Sequence, residues 1–177
     1  VPNEDPSVLR SPTGQELLAR IAAAHPGDMP DLAEATTLRR DYPADLVAAA
    51  MAQHELRVKA RAKFSRAAEM LFTRGGYEQS TSEPIARYRA LRFAGTARIA
   101  DLCCGIGGDL IALAATSEVL AVDRDPVHAG LARHNAGVYG VAGNVAVRVA
   151  DVRDVDLAGT DAVFIDPARR ADARSRG

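Results

Sequence analysis

The chain has 177 residues, 47% hydrophobic and 25% charged, with a formal net charge of −1 at pH 7. This suits one full domain with a helical extension and is ordinary for a globular protein. No apolar run approaches the roughly 18 residues a membrane helix needs and no signal-peptide pattern is present, so a membrane partner is not expected.

Before Phe93-Ala94-Gly95 the pattern is helical. In "SPTGQELLARIAAA", Ser11 reads as a cap, Pro12 as a first-turn residue, and Leu17, Leu18 and Ile21 fall at helical spacing. "HPGDMP" breaks that helix, and Asp31 reads as the cap of a short one carrying Leu32, Ala35 and Leu38. "DYPADLVAAAMAQHELRVKARAKF" reads as a long helix with Pro43 in its first turn and Leu46, Val47, Ala50, Met51 and His54 on one face. "TRGGYEQSTS" is expected to be a loop, and Ser82 starts one more helix through Ile85 and Tyr88 to Leu91. The predicted organisation is therefore an all-helical unit over 1–93 and an α/β unit over 94–177.

Past that border, strands are expected at Arg98–Leu102, Glu118–Val122, Val145–Val149 and Asp161–Ile165. Helices follow the first two, near Gly108–Ala115 and Pro126–Tyr139. Short apolar strands alternating with helices define a Rossmann-like parallel sheet with right-handed crossovers. About four strands fit, fewer than doubly wound sheets carry. The unit is thus expected to be truncated at its C-terminus, with an exposed edge at the strand ending in Ile165 that invites self-association.

Charge is unevenly spread along this frame. Residues 1–43 hold four basic and seven acidic side chains, 44–98 ten and five, and 99–177 eight and eleven. A basic middle segment can face nucleic acid, although a solvated helix face has the same composition. The adjacent Cys103 and Cys104 cannot bridge without strain and lack zinc-site spacing, so no metal and a reducing, cytoplasmic setting are expected.

Four acids, Asp101, Asp123, Asp151 and Asp166, end or follow the four strands, where parallel sheets place their ligands. Capping or turn duty is the alternative for Asp125 and Asp151. Gly105 and Gly107 give the first loop positive φ and remove the Cβ that would hold a ligand off. "GIGGDL" ends in leucine where a dinucleotide fingerprint needs glycine or alanine, which argues against a nicotinamide cofactor. A carboxylate at Asp101 is a poor neighbour for a pyrophosphate and a good one for an ammonium. The pattern fits S-adenosylmethionine, with Asp123 accepting from the ribose hydroxyls and Asp151, with the amide of Val152, meeting the adenine edge.

"DLCCGIGGDLIALA", "VLAVDRDPVHAGLARHNAGVYG" and "DAVFIDPARR" resemble the first four motifs of class I S-adenosylmethionine-dependent methyltransferases, nearest to the trimethylguanosine synthase (RNA cap guanine-N2 methyltransferase) type and its prokaryotic relatives. "KFSRAAEMLFTRGGYEQSTSEPIARYRA" is similar to the helical extension over that family's active site. The resemblance implies a cofactor set of Asp101, Cys103, Gly105, Gly107, Asp123, Arg124, Asp151 and Val152, with Cys103 standing where many methyltransferases have glycine. It implies Asp166 and Pro167 as the catalytic motif. The family's Ser-Pro-Pro-Trp is here Asp166-Pro167-Ala168-Arg169, and the chain has no tryptophan. Asp166 would then accept an amine N–H, while Arg169 stacks or grips a phosphate, or simply belongs to a basic turn. Lys63 and Arg66 are expected to contact substrate phosphates. The predicted function is methylation of a nucleobase amine in RNA; the alternative is a non-catalytic cofactor-binding or interaction module whose sheet another segment or chain completes.

Overall fold

The computed structural model describes residues 5–167. Ser11 caps α1 (Pro12–Ala24) by accepting from the amide of Gly14, and Asp31 caps α2 (Leu32–Leu38) through the amide of Glu34. α3 (Ala44–Ala60) follows Pro43, which sits at the cap rather than inside the first turn. One apolar cluster of Leu9, Leu17, Leu18, Ile21, Leu38, Leu46, Val47 and Ala50 holds these three helices together. Leu32 lies outside it, 77% exposed.

α3 stops four residues short of Phe64, the last residue of the expected helix, and the chain turns into a strap that buries Phe64, Ala67, Met70, Leu71 and Phe72. The stretch expected to be a loop contains α4 (Arg74–Gln79). Thr73 caps its start, and the Lys63 ammonium caps its end, donating to the carbonyls of Tyr77 at 2.7 Å and Ser80 at 2.9 Å. Those long-range donors stabilise a turn that its two glycines disfavour. α5 (Glu83–Ala90) follows.

The α/β half runs β1 (Arg98–Leu102), α6 (Gly108–Leu113), β2 (Glu118–Asp123), α7 (Pro126–Val138), β3 (Val145–Val149) and β4 (Ala162–Ile165). All pairings are parallel, in the order β3-β2-β1-β4. The chain steps outward from β1 to β3 and then returns to β1's other side, so the switch point lies between β1 and β4. In open parallel sheets that is where ligands bind, beyond the carboxyl ends of the strands.

One face of the sheet, with Ile99, Val119, Ala121 and Phe164, packs with Leu110 and Leu113 of α6 and Ala132 of α7. The other, with Ala100, Leu102 and Val122, is covered by Val152, Val155 and Leu157. Val163 and Ile165 pair in register with Ala100 and Leu102, yet are 43% and 54% exposed. A further cluster joins Leu56, Phe64, Met70, Leu71 and Phe72 to Ile106, Ile111 and Leu131. Residues 56–72 therefore share a core with the α/β half, across the border expected at 93/94.

Candidate active site at the carboxyl ends of the strands

The loop after β1 alternates left-handed residues: φ is 68° at Cys103, 54° at Gly105 and 92° at Gly107. Gly107 is required twice over, because a Cβ there would also lie 3.3 Å from the Cα of Ala132 in α7. At Gly105 a Cβ would meet nothing within 4 Å, so the loop's outer side is open. Asp123 holds the loop down: one carboxylate oxygen accepts from the amide of Gly105 at 2.8 Å, the other from that of Asp125 at 2.9 Å. Asp125 in turn caps α7 through the amide of Val127. A carboxylate offers about four acceptor positions, so Asp123 can serve as this clasp and still accept from two hydroxyls.

Asp101 is 2% exposed, and its Oδ2 has no hydrogen-bond partner. Burial, with the charges of Asp109, Asp123 and Asp166 added to it, pushes its acid up to about 8. An ionised carboxylate with an orphaned buried oxygen is costly unless a cation meets it. That donor set fits an ammonium-bearing cofactor. It fits a pyrophosphate badly.

Asp166 follows β4 directly and is tied to α5 by Arg89. Arg89 Nη1 donates to Asp166 at 2.8 Å, to Asp109 at 3.1 Å and to Thr81 at 3.0 Å. Pro167 follows, exposed, while Arg169 lies outside the described residues. Cys103, half-buried, has its thiol pushed up by burial and then by the charges of Asp123, Asp101 and Asp151, with Arg124 opposing. The expected ammonium, ribose and adenine acids, Asp101, Asp123 and Asp151, therefore all lie near this loop. Cys104 is a buried apolar filler whose thiol burial also pushes up.

Other expected site residues are differently employed. Asp151 caps a short turn and accepts from the guanidinium of Arg153 at 2.8 and 2.9 Å, which holds its acid well below the usual carboxylate range. The side chain of Val152 packs beneath the sheet. Arg124 is exposed beside the loop.

The side chains expected to contact phosphate, Lys63 and Arg66, have partners within the fold. Lys63 is taken up by the end of α4, as described above. Arg66 pairs with Glu69 at 2.7 Å and donates to the Val138 carbonyl at the end of α7. Lys59 and Arg74 pair with Glu55, and Arg87 with Glu83. These charges brace the fold, so the basic stretch presents far less free positive charge than its composition implies.

Three residues were not singled out by the sequence. Arg89 carries no motif, and nothing in a helical basic stretch marks which guanidinium crosses to the sheet. Asp109 lies within the glycine motif but was read only as part of it. Asn135 is fully buried and joins three groups: its amide nitrogen donates to the carbonyls of Leu71 and Ile106, and its oxygen accepts from the amide of Leu71. A polar residue one turn beyond Leu131 on an apolar helix face was the signal.

Comparison with known proteins places this geometry. The family described as RNA cap guanine-N2 methyltransferase matches residues 96–168, and a domain of unknown function (DUF8688) matches residues 4–60. Two curated relatives are uncharacterised S-adenosylmethionine-dependent methyltransferases of Mycobacterium tuberculosis, from strains CDC 1551 / Oshkosh and H37Rv. Each is 38% identical over 109 residues, covering 61% of this chain; the match spans 29% of the relatives' length. A crystal structure from Porphyromonas gingivalis W83, classed as a methyltransferase, superposes with a TM-score of 0.68 and 24% identity, over 88% of this chain and 41% of that one. By fold and by sequence match, the α/β half is similar to class I S-adenosylmethionine-dependent methyltransferases. Over residues 96–168 the sequence is similar to the RNA cap guanine-N2 methyltransferase family.

Proposed function

We propose that this chain supplies the cofactor half of a methyltransferase that uses S-adenosylmethionine to methylate a nucleobase amine in RNA. The observation that carries the reading is the buried, unpartnered Asp101 oxygen at the switch point, beside a glycine loop whose outer side is open. When bound, the cofactor would supply a methyl group made electrophilic by its sulfonium. Asp101 would meet the cofactor's ammonium, Asp123 the ribose hydroxyls, and Asp151 with the Val152 amide the adenine edge. Asp166 would accept one N–H of the substrate amine and so turn its lone pair toward the methyl group. Holding the two reactants together provides most of such a rate enhancement. Residues 61–93 would act with the α/β half as the site's wall, since they share its core and lend it Arg89.

The RNA part rests on the family match alone, since the basic side chains expected to grip phosphate are engaged within the fold. Transfer of tritium from S-[methyl-³H]adenosylmethionine to RNA tests it. Ribonuclease-sensitive label is expected, reduced about a hundredfold or more in Asp166→Ala. Label that resists ribonuclease would remove RNA as the substrate. A second reading, a sheet completed by another chain, draws support from the exposed Val163 and Ile165 on edge strand β4. Light scattering would detect such self-association as a dimer mass, and a monomer mass would count against it.

A further inference from the structure

Arg89 joins Asp109 and Asp166 beside the carboxyl ends of β1 and β4, and the charges of these two acids, with that of Asp123 on β2, reach the buried Asp101. Among the described residues, the cation that ion-pairs within this group is Arg89, which touches two of its members through one nitrogen. It comes from a different layer of the fold, on α5, and no capping or helix-packing need explains its reach to the end of β4. Asp109, Asp123 and Asp166 with one bridging cation leave this end of the sheet with an excess of negative charge. Among the described residues, none donates a hydrogen bond to the buried Oδ2 of Asp101 beside them.

The methyl donor and its product differ at that place by one charge. Before transfer the sulfur is a sulfonium. On transfer the C–S bond would break with its electron pair left on sulfur, the methyl carbon would bond to the substrate nitrogen, that nitrogen would lose one proton by way of Asp166 to solvent, and the remaining thioether would be neutral. An acid-rich site therefore holds the donor more tightly than the product, and any cation in it reduces the difference.

We infer that Arg89 sets how strongly this site prefers the cationic methyl donor over its neutral product. The inference rests on the cofactor reading above and adds a specificity-determining residue to it. By bridging Asp109 and Asp166, Arg89 cancels part of the negative charge that would favour the sulfonium over the thioether.

The test is calorimetric titration with S-adenosylmethionine and, separately, S-adenosylhomocysteine at low ionic strength. The proteins are wild type, Arg89→Met, Arg89→Lys and Asp166→Asn. The ratio of the two affinities is the readout, because a merely structural role for Arg89 would weaken both ligands together and leave the ratio unmoved. Arg89→Met is expected to raise the preference for the donor about fivefold, the size of one unit charge acting over several ångströms in a medium between water and protein interior. Arg89→Lys should restore the wild-type ratio. Asp166→Asn, an isosteric change at a half-exposed side chain, should lower the ratio by a similar factor, which keeps the inference testable should Arg89→Met fail to fold. Added salt should shrink all these differences. An unchanged ratio in Arg89→Met or Asp166→Asn, with the wild type binding both ligands, overturns this inference and leaves the cofactor reading standing. Wild type binding neither ligand overturns both.

Discussion

Gly105 and Gly107 both need a left-handed backbone, but only Gly107 also presses on a neighbouring helix. Alanine at Gly105 should cost about 1–2 kcal/mol from the backbone alone. At Gly107 the overpacking against Ala132 adds about 1–3 kcal/mol, so denaturant unfolding should rank Gly107→Ala as clearly the worse. Asp101 gives a pH signature. Its acid is raised from an ordinary 3.8 to about 8, so the folded protein keeps a proton that the unfolded chain releases. The stability this contributes is complete below about pH 4 and is lost as pH rises toward 8. Asp101→Asn should flatten that fall in a urea series across the same window. A cation seated beside Asp101 favours its ionised form, so binding of S-adenosylhomocysteine near pH 7 should release a proton. Binding enthalpies in buffers of different ionisation heat would show it, and buffer-independent enthalpies would count against the assignment. The strand-end acids were legible in the sequence because a two-residue period and a glycine turn fix where a strand ends. That Asp123 also clamps the loop was not, since it depends on how β1 and β2 lie side by side.

At the level of elements, the Asn135 side chain pins the strap to both the glycine loop and α7. Asn135→Ala would leave three buried backbone groups without partners, and at about 1–3 kcal/mol for each the variant should lose at least about 3 kcal/mol. A loss below 1 kcal/mol in chemical denaturation would mean that water replaces it. The strands and the helices α1, α2, α5, α6 and α7 were readable to within a residue or two at most ends, because caps such as Ser11, Asp31 and Asp125 announce themselves locally. α4 was not readable. Gly75 and Gly76 argue for a loop, and the Lys63 ammonium that closes the helix comes from eleven residues before its first residue, Arg74. For the same reason the pairing within the basic stretch was not readable: sequence counts charges, whereas the fold brings Glu55, Glu69 and Glu83 to their cations.

For the molecule as a whole, a parallel sheet carries an acid-rich rim at its switch point, and a helical segment that shares its core supplies the bridging cation. The chain spans 29% of the length of the curated relatives it matches, so the substrate side of the reaction belongs to proposal. The residues proposed to hold the cofactor all lie within the described part of the chain. Titration with S-adenosylhomocysteine, beside Asp123→Asn and an NAD control, tests that proposal most directly. The account predicts a dissociation constant on the order of micromolar, weakened ten- to a hundredfold by Asp123→Asn, roughly what losing a hydrogen bond to a charged group costs, with no heat from NAD. No binding by the wild type, or equal binding by the variant, would contradict it.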